Sequence, residues 1–197
     1  MRRPIVKAVN LFCVFFLLAI NQACSDDTVI NEKIRVSEKI ACLEEFVSKK
    51  NMTKGEKERL FKCFPENSKE LVLVFNQQAS SPALGDGFAI IGQRIPEVKD
   101  VVGPDRYAKK LIGAAIGLDG FADTPNYLRY IFYTEFKKRD AEVFFNQLDN
   151  LNDEHIASFW VFYFRTWEGI ELNAEICNRR EDRKSCKVLA SMIEDQG

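Results

Sequence analysis

The placement of four cysteines constrains this chain more than any other feature. Cys42 lies about as far before the polar turn at Lys50 to Met52 as Cys63 lies after it, and Cys177 and Cys186 flank the polar run Asn178 to Ser185. In an antiparallel helical hairpin such positions face each other, which brings paired cysteines within bridging reach. Four cysteines allow three connectivities, and local pairing of Cys42 with Cys63 and of Cys177 with Cys186 is the simplest. The competing reading treats them as small buried hydrophobes.

Hydrophobic periodicity supplies the helices that such hairpins need. Val36, Ile40, Leu43 and Val47 recur at helical spacing with Glu and Lys between them, which predicts a helix over about 32 to 50. Thr53 with Glu56 three residues on is a capping-box pattern that opens a second helix, and Pro65 ends it. The apolar run Leu71 to Phe75, within Glu66 to Gln78, fits helix or strand, and its helical neighbours favour helix. From Ala79 to Pro104 the residues Pro82, Gly85, Gly87, Gly92, Pro96 and Gly103 read as breakers, so loop with at most short helices is expected.

Further on, Asp105 is the expected cap of a helix carrying Tyr107, Leu111, Ile112, Ala115 and Ile116. Thr124 before Pro125 marks the start of another, with Leu128, Ile131, Phe132 and Phe136. Ala141, Phe144, Phe145, Leu148 and Leu151 form a core-facing stripe. Asn152 or Asp153 caps a helix through Ile156, Phe159, Trp160, Tyr163, Phe164 and Trp167, which Val161 and Phe162 make apolar around most of its circumference. Short helices over about 169 to 178 and 183 to 194 close the chain. No alternating strand series appears, so the expected fold is all-α: a single-domain array of antiparallel helices over residues 32–197 with two local disulfides.

The N-terminal segment reads as an export leader. Arg2, Arg3 and Lys7 precede an apolar run from Ala8 to Ile20, too short for a permanent span. Asn21-Gln22-Ala23-Cys24 follows and resembles the processing site of bacterial lipoproteins, in which a small residue precedes a cysteine that becomes lipidated and N-terminal. The resemblance rests on Ala23 and Cys24 and implies a leader over 1–23, a lipidated Cys24 and a polar tether over 24–31. Ordinary signal cleavage after Ala23 is the rival. Cysteine parity favours the lipid: Cys13 leaves with the leader, and modification of Cys24 leaves an even four for pairing. A periplasmic or outer-membrane location follows, or otherwise secretion; the sequon Asn51-Met52-Thr53 keeps a eukaryotic secreted protein in view.

No motif specifies a reaction. The single histidine, His155, falls in a helix first turn without a nucleophile elbow, so no catalytic residue is assigned. Closely spaced Cys and His pairs for zinc are missing, and Asp119, Gly120, Asp123, Asp86 and Gly87 lack the oxygen pattern and closing Glu of a calcium loop, so neither metal nor cofactor is expected. Lys and Arg total 28 against 29 Asp and Glu with no basic stripe, which argues against nucleic acid as a partner. The aromatic series Phe144 to Trp167 reads as core, whereas Tyr127, Tyr130 and Tyr133 fit a half-exposed recognition surface.

In size, leader and fold class, though in no motif, the chain resembles the small periplasmic or lipid-anchored immunity proteins that protect bacteria from type VI secretion effectors. That resemblance implies a protein-binding domain of the cell envelope whose partner is another protein, a toxin or effector, with membrane attachment through the lipid on Cys24. The loops Ala79 to Pro104 and Gly117 to Asp123 are the expected contact surfaces, and Asp119, Phe121 and Asp123 the expected contact residues. An envelope hydrolase using carboxylates, or a structural or assembly lipoprotein, are the alternatives.

Overall fold

The computed structural model describes residues 35–76, 87–118, 123–137, 141–164 and 174–194, and all the regular structure among them is helical. Contacts divide the chain after Glu38 into two compact units. Of the first unit only residues 35–38 are described, as the opening turn of helix α1 (35–47). Everything below concerns the second unit, Lys39 to Gly197.

The N-terminal hairpin forms as its sequence dictates. Ile40, Leu43 and Phe46 bury one stripe of α1, and Phe46 takes the inward place expected of Val47. Helix α2 (Lys54–Cys63) opens on a complete capping box: the Thr53 hydroxyl accepts from the Glu56 N–H at 3.3 Å, and the Glu56 carboxylate accepts from the Thr53 N–H at 2.8 Å. Two orphan donors are thereby satisfied reciprocally. Phe64 then turns extended, the conformation a residue before proline prefers. Cys42 and Cys63 are bridged with their Cα atoms 6.1 Å apart, so local pairing holds here.

Helix α3 (Ser68–Asn76) begins under the same hairpin. The Asn67 side chain accepts from the Glu70 N–H at 2.9 Å and caps it. The Glu70 carboxylate, nearly buried, accepts from the Glu66 N–H at 2.9 Å and pairs with Lys39 at 2.6 Å, tying the turn to α1.

The stretch expected to be mainly loop is instead largely helical from Gly87 onward. Helix α4 (Gly87–Arg94), a 3-10 turn (Ile95–Val98) and the one-turn helix α5 (Lys99–Val102) follow one another directly. Ile91, Ile95, Val98 and Val102 are all buried, at spacings of four, three and four, so one apolar stripe runs through all three elements. Pro96 sits at the start of the 3-10 turn, where its missing N–H costs no hydrogen bond, and so it does not break the path. Residues 77–86 lie outside the described residues.

Gly103 (φ 86°) makes the sharp turn into α6 (Pro104–Ala115). Gly103, not the expected Asp105, therefore occupies the cap position. Asp105 lies in the first turn, where its charge favours the positive end of the helix dipole and its carboxylate accepts from Gln147 at 3.2 Å. Helix α6 buries Tyr107, Ala108, Leu111, Ile112, Ala114 and Ala115 against α3 and α8.

Helix α7 (Asp123–Lys137) takes Thr124 and Pro125 into its first turn, whereas the sequence sets the boundary at Thr124. Helices α8 (Ala141–Asp149) and α9 (Asp153–Phe164) complete the aromatic core. Phe132 meets Phe159, Phe144 and Phe162 edge-on at centroid distances of 5.0, 5.8 and 6.1 Å. Trp160 is fully buried and its indole N–H donates to the Ser185 carbonyl at 2.9 Å. The all-round burial expected of α9 is incomplete, since Val161 is half exposed.

The last hairpin is held by charge. A 3-10 turn (Ala174–Cys177) leads through Arg179, which takes a positive φ of 69°, into α10 (Lys184–Glu194). Cys177 and Cys186 are bridged with Cα atoms 5.6 Å apart. Helix α10 receives its N-terminal cap from another helix: Asp149 of α8 accepts from the Ser185 N–H at 2.8 Å and the Ser185 hydroxyl at 2.6 Å. Arg183 adds a 3.0 Å contact to Asp149 and a further one to Glu142, which also binds Arg180 at 2.7 Å. Burial works to raise the Asp149 pKa, yet the Ser185 and Arg183 contacts hold the carboxyl below its usual value. Bonds from Arg180, and then Arg183, do the same for Glu142. The two disulfides imply an oxidising compartment.

Candidate functional site

Helix α7 divides sharply into a dry side and a wet side. Leu128, Ile131, Phe132 and Glu135 are buried, while Tyr127, Tyr130 and Tyr133 are 37%, 68% and 44% exposed. Tyr127, Tyr130 and Thr134 follow at i, i+3 and i+7, so they share one stripe. Three large phenol rings exposed on one helix are an arrangement the hydrophobic effect alone does not produce.

Several contacts fix this orientation. The Arg129 guanidinium donates to the Phe162 carbonyl at 2.6 Å and to the Asn126 side chain at 2.8 Å, which ties α7 to α9. On the opposite side Lys99 of α5 pairs with Glu135 at 2.8 Å, with the Glu135 side chain only 1% exposed. A buried pair of this kind contributes little net stability, but loss of either partner strands a charge, so the rotation of α7 is closely specified.

Beside the tyrosine stripe lies a groove of about 620 Å³ between α7 and the α4 to 3-10 segment. Tyr127, Tyr130 and Thr134 form one wall, and Gly92, Gln93 and Pro96 the other. Gly92 matters to its width: a Cβ there would stand 3.4 Å from the Tyr127 Cβ, at the lower edge of ordinary contact, so a larger side chain would push the walls apart. Among the described residues, no formally charged side chain lines the groove. Rigid rings flanked by amide and hydroxyl groups present large contact area at low side-chain entropy cost.

Tyr133 stands on the other flank of the wet side. Its hydroxyl accepts a bond from Lys137, whose ammonium also lies 3.9 Å from the ring centroid. Burial, and then the neighbouring Tyr133, push the Tyr163 phenol up to about 12, so it stays a protonated donor at neutral pH.

The contact residues expected from sequence fall differently. Asp119 and Phe121 lie outside the described residues. Asp123 opens α7, one turn before Tyr127, with its side chain outside what is described. Cys24 also lies outside the described residues, as does Trp167. His155 is exposed in the first turn of α9, its backbone N–H donating to Asn152 at 2.8 Å, which makes Asn152 the cap. Among the described residues no group of three or more His, Cys, Asp or Glu side chains converges as metal ligands would, and no helix is long and apolar enough to cross a membrane. Sequence reasoning found the tyrosines and set Gly92, Gln93 and Pro96 inside an expected contact surface, Ala79 to Pro104, but read that segment as loop and singled out none of the three. The buried spacing of Ile91, Ile95 and Val98 was the available signal. No protein-family model, curated protein or solved structure matches the chain.

Proposed function

We propose that this protein is an exported, lipid-anchored binding protein of the bacterial cell envelope that occludes a protein partner with the tyrosine stripe and groove of α7, in the manner of an immunity protein against a secreted effector. The observation that carries the reading is the set of exposed phenol rings beside an uncharged groove on a scaffold stapled at both ends. Recognition surfaces draw most of their energy from a few aromatic anchors, and a rigid helix presents them with little ordering cost. Cys24 would tether the domain at the membrane, where an incoming effector arrives.

The test pairs the purified protein with the product of the adjacent reading frame. A stoichiometric complex by size-exclusion chromatography is expected, weakened at least about a hundredfold by Tyr127→Ala with Tyr130→Ala, since aromatic anchors each contribute about 2 kcal/mol or more. Thermal stability should change little because both rings are exposed. No complex with that product, or turnover of a cell-wall or lipid substrate by the purified protein, overturns the reading. Fatty-acid labelling that is equal in the wild type and Cys24→Ala removes the anchor from it.

A further inference from the structure

A concentration of positive charge lies away from the tyrosine groove. Arg106, Lys109 and Lys110 follow at i, i+3 and i+4 on α6, and the last turn of α2 brings Lys62 alongside them around a cavity of about 560 Å³. Phe61 forms its floor, with the Lys110 ammonium 4.8 Å and the Arg106 guanidinium 5.8 Å from the ring centroid. Glu66 is the one acidic residue among the described residues that line the cavity, 3.9 Å from Lys110.

Of these cations only Lys110 makes a hydrogen bond among the described residues. Lys110 donates to the Phe61 carbonyl at 2.5 Å and the Lys62 carbonyl at 3.3 Å, closing the end of α2, and favours the negative pole of that helix. Arg106 and Lys109 meet no carboxylate among the described residues. Like charges at i, i+4, such as Arg106 and Lys110, destabilise a helix. Burial lowers the Lys110 pKa to about 8, partly offset by Glu66, with Lys39 and Arg106 lowering it further. A chain of formal net charge −1 thus gathers four cations against one acid at a single cavity, at a cost to its own folding.

We infer that this cavity binds a phosphate ester. A carboxylate would neutralise one cation and leave the rest repelling, whereas a phosphate dianion accepts several charge-assisted hydrogen bonds at once, with the Arg106 fork matched to two of its oxygens. The cavity exceeds a bare phosphate in size, so the group belongs to a larger molecule, a soluble phosphate ester or the headgroup of an anionic lipid. This site is independent of the tyrosine groove.

Calorimetry of the processed, full-length protein with glycerol phosphate, and flotation with phosphatidylcholine vesicles with and without phosphatidic acid, distinguish these sources. Saturable binding is expected in at least one arm: the calorimetric arm alone identifies a soluble ester, and a gain on adding phosphatidic acid identifies a headgroup. Arg106→Ala with Lys109→Ala, both exposed positions, should weaken that binding at least about tenfold. Lys54→Ala with Lys187→Ala, which removes the same charge elsewhere, should change it less than about twofold. Binding in neither arm, or equal loss in the two double variants, overturns the assignment.

Discussion

The two stapled ends of this molecule are held by different forces. The hairpin of α1 and α2 closes over buried Leu43, Phe46, Leu60 and Phe61, and its ion pairs, Arg59 with Glu45 and Lys49 with Glu56, lie at the partly exposed rim. The C-terminal hairpin buries Cys186 and Leu189 but is positioned by Asp149, Glu142, Arg180 and Arg183. A disulfide therefore reinforces apolar packing at one end and completes a polar network at the other. Apolar contact tolerates salt and acid, whereas a carboxylate network depends on its charge, so the two ends should fail under different conditions.

Removing the staples should give the largest effects. Replacing Cys42 and Cys63 by Ala reopens a loop with a separation of 21 residues, and the chain-entropy account gives a loss of about 3 kcal/mol. For Cys177 and Cys186, separated by 9, the same account gives about 2.5 kcal/mol. Urea melts of the two double variants measure both. If the buried contacts of the first hairpin hold it closed even in the denatured ensemble, its loss will fall below that of the second, and the order reverses.

Asp149→Ala should cost about 1 to 2 kcal/mol, since it removes the cap of α10 and an arginine contact together. The pH dependence follows from the sign of the shifts. Asp149 and Glu142 both have folded-state pKa values held below their ordinary ones, so their stabilisation is complete above the ordinary carboxylate pKa and is lost as pH falls through the depressed values. Protection factors of the α10 amides, taken relative to the intrinsic exchange rate at each pH, should therefore fall on acidification, and the difference between wild type and Asp149→Ala should shrink. An undiminished difference in acid would mean that the cap acts through shape rather than charge.

The smallest effect should come from Tyr107, which sets a baseline for both ends. Its ring is buried edge-on to Phe144 at 6.1 Å, yet its hydroxyl has no hydrogen-bond partner among the described residues. Tyr107→Phe should be neutral or stabilise by up to about 1 kcal/mol, because the hydroxyl brings a desolvation cost with no bond to offset it. A loss of more than about 1 kcal/mol in thermal melts would reveal a partner for the hydroxyl.

Local chemistry made much of this fold legible in the sequence. Thr53 with Glu56, Pro65 and the symmetric cysteines act within a few residues or across one turn, and each behaves as its spacing dictates. The segment from Gly87 to Val102 was misread because Gly92 and Pro96 look like breakers in isolation. One is small where α7 approaches, and the other sits where a helix start needs no N–H. The tyrosine stripe could be read from i, i+3 spacing, but its opposite wall is supplied by tertiary packing. The basic cavity was hidden by averaging: near-neutral totals conceal Arg106, Lys109 and Lys110 on one face, and only folding adds Lys62.

Each bridge also joins cysteines that are consecutive in the chain once Cys24 is passed. On the proposed export route, a polypeptide threaded through a membrane N-terminus first would present Cys42 and then Cys63 long before Cys177, so an oxidase that couples thiols in order of appearance would form the native pairs without later shuffling. The exception is Cys24: left as a thiol it would precede Cys42 in that queue and capture it. On the proposed lipidation, a thioether at Cys24 would do more than attach a lipid, since it would withdraw a sulfur able to start the wrong sequence of exchanges.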